Sequence, residues 1–367
     1  MNPFLITAYK EPKFFCNREK ETQDIINAIT NQRNLLIFAI RRMGKTGLIR
    51  HVFYQLQMLN QYSLYYIDID QTTDLNGFMN VLINGLIKGQ KQSLYEKIID
   101  IIKQFRPTIT FDPITGTPEI EIKSNTPQDS KASIEVVLNY LENLDKPVVV
   151  AIDEFQRIVD YPENRVEAFL RSHIQHLKNV TFIFSGSQSK ILQAMFSQYN
   201  RPFYQSAQFL EIGRLGLNDY STFISEHFIQ SGKKIEKSLI KSCIEWADHH
   251  TFYVQYIFNV IWGSGEKIID ESTIKEIKTD IIDSRSALYT GYRSLLTEKQ
   301  FNVLKAIGSE GEVAKPNSHH FIEKYSLGSV STVNSAIKAL LEKELIYAEK
   351  NKIKCYDVFQ AKWFQLN

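Results

Sequence analysis

The stretch that decides the fold is AIRRMGKT, residues 39–46. It follows the apolar segment 34–38 (NLLIF) and precedes an amphipathic segment that begins at Gly47. A loop between a strand and a helix can bind phosphate, because its backbone N–H groups and the positive helix N-terminus face the anion. In this arrangement Lys45 contacts the β- and γ-phosphates and the Thr46 hydroxyl binds Mg²⁺. The stretch therefore predicts a nucleoside-triphosphate site in an α/β protein.

The loop departs from the usual pattern at its first position, where Ala39 replaces glycine. Alanine has the smallest side chain after glycine, so the turn survives this replacement as long as its φ stays negative. The alternative is that Gly-Lys-Thr occurs by chance at the start of a helix. A second motif favours the phosphate-binding interpretation.

The second motif is the pair Asp153-Glu154, which follows the segment 146–152 (KPVVVAI). A continuous apolar run of this length predicts a buried parallel strand. Open α/β sheets bind their ligands at the C-terminal ends of such strands. We expect Asp153 to hold Mg²⁺, directly or through water, and Glu154 to orient and deprotonate the attacking water. The alternative for Asp153 is a helix N-cap.

The composition limits the classes of protein to which the chain can belong. Its 367 residues suffice for two or three domains, and a net charge of +2 does not by itself indicate a polyanionic partner. The cysteines Cys16, Cys243 and Cys355 are far apart and lack CxxC spacing, so they predict neither a disulfide framework nor a zinc site. The sequence contains no signal-peptide pattern and no apolar run near the roughly 18 residues of a membrane span. We therefore expect a cytoplasmic protein without a membrane partner.

The first of three predicted domains, residues 1–216, alternates strands and helices around a parallel sheet. The predicted strands are residues 34–38, 64–69, 148–152, 180–184 and 209–212. A β-hairpin is predicted for 108–111 and 119–122 around a turn at 113–116, followed by a polar loop at 124–131.

The second predicted domain, residues 217–290, is wholly helical, and no strand pattern interrupts it. Its predicted helices are 220–230, 235–246, 253–262 and 271–288, and a helical bundle beside a nucleotide-binding core is typical of a lid.

The third predicted domain, residues 291–367, begins near a capping box formed by Thr297 and Gln300. Its predicted elements are helices at 297–307, 317–325 and 330–343 and two strands at 345–349 and 354–358. Three helices followed by a two-stranded wing indicate a winged helix-turn-helix.

These motifs together resemble a family. The chain is similar over nearly its whole length to the archaeal-ATPase group, P-loop ATPases of the wider AAA/STAND class found in bacteria and archaea. The similar segments are 2–4 with 15–21 (NPF, FCNREKE), 41–46 (RRMGKT), 153–156 (DEFQ) and the Gly186-Ser187 pair at the sensor position. The resemblance implies an AAA/ASCE-type core with a helical lid and a winged helix, and ATP and Mg²⁺ as cofactors.

The resemblance also implies roles for individual residues. Asn17 and Arg18 belong to a signature that lies against the adenine and the hinge to the lid. The residues implied to contact the nucleotide in the loop are Arg41, Arg42, Met43, Gly44, Lys45, Thr46 and Gly47. Catalysis is implied for Glu154, Lys45 and Ser187, and metal binding for Thr46 and Asp153.

One departure from the family pattern concerns turnover. Ser206 stands where the family often has an arginine, which could stabilise charge developing on the γ-phosphate. We therefore expect slow basal hydrolysis, unless Arg201 or Arg214 substitutes. A second copy of the chain or another protein docking on the winged helix could also supply the missing charge.

The sequence thus predicts a molecular switch that binds ATP, hydrolyses it slowly and couples nucleotide state to movement of the lid and the winged helix. One alternative is a DNA-associated ATPase that contacts duplex DNA through Lys338, Lys350, Lys352 and Lys354. Another is a nucleotide-binding scaffold without catalysis.

Overall fold

The computed structural model of the protein describes residues 1–88, 92–111, 118–124, 126–187 and 189–367. The chain divides into two compact units, which are Thr7–Arg214 and a second unit made of Met1–Ile6 together with Leu215–Asn367. No helix in the described ranges is long and apolar enough to cross a membrane.

The unit Thr7–Arg214 is built on a parallel sheet. Its strands in chain order are β1 (Leu35–Phe38), β2 (Ser63–Asp68), β3 (Thr108–Phe111), β4 (Pro118–Glu121), β5 (Val148–Asp153), β6 (Val180–Gly186) and β7 (Gln208–Glu211). Five of them form the parallel sheet in the order β2-β5-β6-β1-β7, and β3 pairs with β4 as an antiparallel hairpin. The five sheet strands and both hairpin strands predicted from the sequence are confirmed, and the predicted hairpin turn at 113–116 lies outside the described residues.

Helices cover both faces of this sheet. They are α1 (Glu19–Thr30), α2 (Lys45–Leu59), α3 (Leu75–Ile87), α4 (Gln92–Ile102), α5 (Pro127–Glu142), α6 (Val166–Ile174) and α7 (Ser189–Ser197), with 3₁₀ turns at Pro12–Phe14, Lys103–Phe105 and Phe155–Asp160. Successive strand residues point to opposite faces, so Leu35 and Ile37 join the core beneath α1 and α2, while Leu36 and Phe38 join the core that includes α3 and α5. Burial on both faces explains why the central strands β1, β5 and β6 read as continuous apolar runs.

The prediction of a polar loop at 124–131 is wrong, because α5 begins at Pro127. Thr126 is its N-cap, and the Thr126 and Asp129 side chains each accept a bond from the other residue's backbone N–H. Polar residues satisfy the unpaired N–H groups of a first helical turn, so this polar stretch is a helix start.

The second unit begins with the segment predicted to be a helical lid. Its elements are α8 (Leu217–Gln230), β8 (Lys234–Ile235), α9 (Lys237–Trp246), α10 (Thr251–Gly263), β9 (Ile268–Ile269), α11 (Glu271–Asp283) and α12 (Ser286–Leu295). The prediction that no strand interrupts these helices is wrong, because β8 and β9 form a parallel pair. Strands of two residues are too short to give an alternating pattern. The prediction of a single helix at 271–288 is also wrong, because the chain forms two helices that are separated at residues 284–285. The sequence pattern did not indicate this break, since the apolar spacing continues across it.

The rest of the unit has the winged-helix arrangement. Its elements are α13 (Glu298–Glu310), β10 (Glu312–Val313), α14 (His319–Lys324), α15 (Val330–Glu342), β11 (Ile346–Glu349), β12 (Lys352–Cys355) and α16 (Val358–Leu366). The three helices, the first wing strand and the Thr297 capping box are confirmed, whereas the second wing strand, predicted at 354–358, lies at Lys352–Cys355. The wing sheet has a third strand, in the order β10-β12-β11, and the final helix α16 packs on α13.

Candidate functional site

The predicted phosphate loop connects β1 directly to α2. Its backbone enters the left-handed region twice, at Arg42 with φ 64° and at Gly44 with φ 93°. Glycine adopts the conformation of Gly44 without steric cost, which explains the residue type at the helix start. Ala39 is buried and does not have a positive φ, so alanine is accommodated as expected.

The loop side chains divide between the interior and the solvent. Met43 is 1% exposed and packs in the core beneath α2, so only its backbone faces outward. Arg41, Arg42 and Thr46 are exposed. Lys45 is buried, and desolvation lowers the pKa of its ammonium group, while the nearby carboxylates of Asp153 and Glu154 act in the opposite direction.

The carboxylate of Asp153, at the end of β5, is the centre of a hydroxyl cluster. Its Oδ2 accepts bonds from Thr46 Oγ1 at 2.8 Å and from the Tyr66 hydroxyl at 2.5 Å. Its Oδ1 accepts bonds from Ser185 Oγ at 2.5 Å and from the backbone N–H of Glu154 at 3.1 Å. The capping alternative is wrong, because the N-cap of the following 3₁₀ turn is Glu154, with no side-chain cap bond.

The Glu154 carboxylate lies against the end of β6. The residue has a φ of 57°, an unfavourable conformation for a side chain with a Cβ. Its Oε2 accepts bonds from Ser187 Oγ at 3.0 Å, from Ser187 N at 3.2 Å and from Gln156 Nε2 at 2.5 Å. The structure therefore joins Glu154 to Ser187 and Asp153 to Thr46 by direct hydrogen bonds.

Arg18, in the similar segment 15–21, contacts the backbone of the predicted phosphate loop. It is 2% exposed, and its guanidinium donates to the carbonyl of Met43 at 3.0 Å, to the carbonyl of Gly213 at 2.9 Å and to Glu21 Oε1 at 2.9 Å. Asn17 Oδ1 accepts the backbone N–H of Arg18 at 2.6 Å. These contacts make Arg18 a support of the loop backbone.

Sequence reasoning missed Tyr66, Ser185 and Gln156. Tyr66 lies in β2, next to β5, and its ring stacks under the Arg50 guanidinium at 3.7 Å. Burial, reinforced by the Asp153 carboxylate, raises the pKa of Tyr66, so its hydroxyl stays a donor. The sequence could have indicated these residues through their positions near the C-terminal ends of predicted strands. Parallel strands end at one edge of a sheet, and polar residues near those ends meet there.

The Asp153 cluster fits a magnesium ion in the chemistry of its donors. Mg²⁺ prefers carboxylate, hydroxyl and water oxygens, and it is commonly bound by one or two carboxylates together with substrate phosphates. Thr46 Oγ1 and Asp153 Oδ2 are such oxygens and lie 2.8 Å apart. Within the described ranges there is no group of three or more His, Cys, Asp or Glu side chains that could hold a metal by itself.

The structure shows the contacts of Arg201 and Ser206, two of the residues considered in connection with the missing family arginine. Arg201 forms an ion pair with Glu167 at 2.5 Å, with side chains 29% and 14% exposed respectively. The Ser206 hydroxyl donates to the Phe203 carbonyl at 2.7 Å. Arg201 is thus engaged within its own unit, and Ser206 contributes a local turn contact.

Comparison with known proteins assigns the fold. The chain is similar to the Walker-type ATPase PABY2304 of Pyrococcus abyssi, at 16% identity over 99% of each chain with a TM-score of 0.68. It is also similar to the Aeropyrum pernix ORC2 protein solved as ADPNP–ADP complexes, at 11% identity over 100% of this chain and 96% of that one, with a TM-score of 0.62. A third similar structure is the Aeropyrum pernix ORC1 protein in complex with DNA, at 12% identity over 96% and 93% of the two chains, with a TM-score of 0.50. Identities this low show the fold alone. No match was found among curated proteins.

Comparison with protein families identifies the family of the chain as well as its fold. Residues 287–366 match a family described as "Probable winged helix domain". Residues 15–241, more than half of the chain, match the family described as "ATPase domain predominantly from Archaea". The resemblance inferred from the motifs is confirmed, and the chain belongs to this family of nucleotide-binding ATPase domains, with a winged-helix domain at residues 287–366.

Proposed function

We propose that this protein is a Mg²⁺-dependent ATPase that acts as a molecular switch. The observation that carries the proposal is the bond of 2.8 Å between Thr46 Oγ1 and Asp153 Oδ2, which joins the phosphate loop to the end of β5. Glu154 follows directly, and its carboxylate is held against Ser187. Lys45 is buried beside both acidic residues, at the position where phosphate charge is to be neutralised.

Each residue has a defined task in this proposal. The loop backbone N–H groups and the ammonium of Lys45 bind the β- and γ-phosphates. Thr46 and Asp153 would hold Mg²⁺, which would neutralise charge on the phosphate oxygens. Glu154 accepts a proton from water as the water oxygen bonds to the γ-phosphorus and the bond to the β,γ-bridging oxygen breaks. The products are ADP and inorganic phosphate.

The basal rate of this reaction is proposed to be low. Ser206 carries no charge, and Arg201 is paired with Glu167. A positive charge beside the γ-phosphate can accelerate hydrolysis by about 10³-fold or more in other nucleotide hydrolases. We therefore propose that a second copy of the chain or another protein supplies this charge.

The switch itself is proposed to involve three domains, residues 1–216, 217–290 and 291–367. The Thr46 hydroxyl and the Asp153 carboxylate bond each other directly, and both are proposed ligands of the metal. Binding of Mg-ATP would exchange this bond for metal contacts and thereby change the hydroxyl cluster that also holds Tyr66 and Ser185. Loss of the γ-phosphate would reverse the exchange, as in other nucleotide switches.

Calorimetry and phosphate release test the proposal. Lys45→Ala should weaken Mg-ATP binding by about 1–3 kcal/mol, because it removes a charged contact. Glu154→Gln should keep ATP bound and stop hydrolysis, because an amide cannot accept the proton. The control Glu135→Gln changes an exposed carboxylate of the same unit and should leave both properties intact. Equal ATP affinity for wild type and Lys45→Ala would reject the site, and binding without phosphate release by wild type would support the scaffold alternative.

Duplex DNA is a second candidate partner, because the chain has a winged-helix domain and a similar structure is a complex with DNA. The expected contacts are Lys338, Lys350, Lys352 and Lys354. Fluorescence anisotropy with a labelled duplex at two salt concentrations tests this function, because phosphate contacts weaken as salt rises. Salt-sensitive binding that is lost in the Lys338→Glu/Lys350→Glu double variant and kept in Lys237→Glu would support it.

A further inference from the structure

The amide of Gln156 lies against the carboxylate proposed to act as the base. Gln156 belongs to the 3₁₀ turn Phe155–Asp160 and is 3% exposed. Its Nε2 donates to Glu154 Oε2 at 2.5 Å. Its Oε1 is buried and has no hydrogen-bond partner within the described part of the chain. A buried unpaired acceptor is unfavourable, so the position of this amide requires an explanation.

The other side of the amide rests on Gly186, the last residue of β6. A Cβ at this position would lie 1.9 Å from Gln156 Oε1 and 3.0 Å from its Cδ. Real Cβ contacts are never that short, so only glycine leaves room for the amide. Gly186 does not have a positive φ, and its residue type is therefore explained by space rather than by backbone conformation.

A buried anchor holds the turn that presents the amide. Phe155, between the two interacting residues, is fully buried, and its ring lies 4.5 Å from that of Phe184 and 5.3 Å from that of Phe203. The Glu154 carboxylate fixes the orientation of the Gln156 amide. The reversed orientation would place Gln156 Oε1 against a carboxylate oxygen, and two acceptors repel each other.

We infer that Gln156 is a positioning residue for the Glu154 carboxylate and that Gly186 provides the space it needs. This inference rests on the proposed role of Glu154 as the base. The amide and both Ser187 donors reach Oε2, and no donor of the described residues reaches Oε1. Oε1 is therefore the oxygen that remains to accept the proton of the attacking water.

The first test replaces Gln156 by Met, which has similar length but no amide. With a donor to the carboxylate removed, kcat should fall about tenfold, the effect of one hydrogen bond to a charged group. The Kd for Mg-ATP should stay within about twofold of the wild-type value. Gln175→Met, at an exposed position of the same unit, is the matched control.

A second pair of variants tests the contact itself. Gly186→Ala should displace the amide and reproduce the lower kcat of Gln156→Met. The double variant Gly186→Ala/Gln156→Ala should be no slower than either single variant, because the shorter side chain leaves space for the added methyl group. Gln156→Glu should lower kcat at least as much as Gln156→Met, because it removes the amide donor and places an acceptor oxygen against Glu154 Oε2. A purely structural role for Gln156 predicts that kcat falls only in variants that also lose stability or Mg-ATP affinity.

The possible outcomes separate the inference from the proposed function. Wild-type protein that releases no phosphate would overturn the proposed function and the inference with it. Active wild type, inactive Glu154→Gln and a Gln156→Met variant with the wild-type kcat would overturn only the inference. A Gln156→Met variant that loses ATP affinity in proportion to its rate would also overturn it, because the residue would then act in binding. Circular dichroism of each variant verifies that it is folded.

Discussion

Replacement of Arg18 by methionine should destabilise the unit Thr7–Arg214 in the absence of nucleotide. Methionine keeps an unbranched apolar side chain in the position of the arginine stem but removes the guanidinium. The hydrogen bonds to the Met43 carbonyl, the Gly213 carbonyl and the Glu21 carboxylate are lost. Both carbonyls then lose a charged donor at a position where Arg18 itself is 2% exposed.

The magnitude follows from these contacts. A hydrogen bond to a charged group contributes about 1.5–3 kcal/mol, but bonds from one group do not add fully. Glu21 is 23% exposed and its carboxylate regains water, so the two bonds to backbone carbonyls dominate, and we expect a loss of about 3–5 kcal/mol in the free energy of unfolding. For a unit of this length, the loss corresponds to a fall of roughly 6–20 °C in Tm.

Thermal unfolding without nucleotide measures the effect, with Arg33→Met as the control at an exposed position of the same unit. ATP affinity should also fall in Arg18→Met, because the Met43 carbonyl belongs to the phosphate loop. A change of less than about 1 kcal/mol in stability, with a loss of ATP affinity, would refute loop support and would indicate that Arg18 contacts the nucleotide.

Three further predictions concern other parts of the chain. Phe155→Ala should lower the free energy of unfolding by about 3–5 kcal/mol, measured by denaturant titration, whereas Phe155→Leu should cost less because it leaves a smaller cavity. Burial raises the pKa of the Cys243 thiol to about 11, so the folded state keeps a proton that the unfolded state loses near pH 9. The free energy of unfolding should therefore fall as pH rises from about 9 to 11. A thiol reagent at pH 8 should react with Cys243 only after unfolding. Lys354→Met should destabilise the second unit by at most about 1 kcal/mol, because its partners Asp248 and Glu312 are 37% and 44% exposed and Glu312 keeps its contact with Lys352, while Lys350→Met, at an exposed position, should have a smaller effect in the same thermal scan.

The parallel sheet could be predicted from the sequence because its central strands β1, β5 and β6 are buried on both faces and read as apolar runs. The phosphate loop and the Asp153-Glu154 pair were predictable because their residue types are required by local chemistry. The strands β8 and β9 were not, since two residues carry no periodicity. The beginning of α5 was missed because a capping box has the same polar composition as a loop.

The contacts within the site were less predictable than its members. Tyr66 reaches Asp153 because β2 and β5 pair in a register that places Tyr66 opposite Ala151. That register is a property of the whole sheet, and no local pattern in β2 indicates it. The dependence of Gln156 on Gly186 is of the same kind, because the two residues are 30 positions apart and meet only where β5 and β6 end side by side.

The wing illustrates why an element pattern does not fix a partner. The sequence places lysines along β12, and a winged helix with lysines on its wing suggests contact with DNA phosphates. In the folded domain Lys352 pairs with Glu312, and Lys354 lies 3.3 Å from Asp248 and 3.4 Å from Glu312. DNA affinity comes largely from lysines that displace counterions from phosphates, and here each lysine would first have to leave a carboxylate. Lys352 and Lys354 are therefore the less favourable of the four expected DNA contacts, and any duplex binding should depend mainly on the exposed Lys338 and Lys350, which the double variant removes.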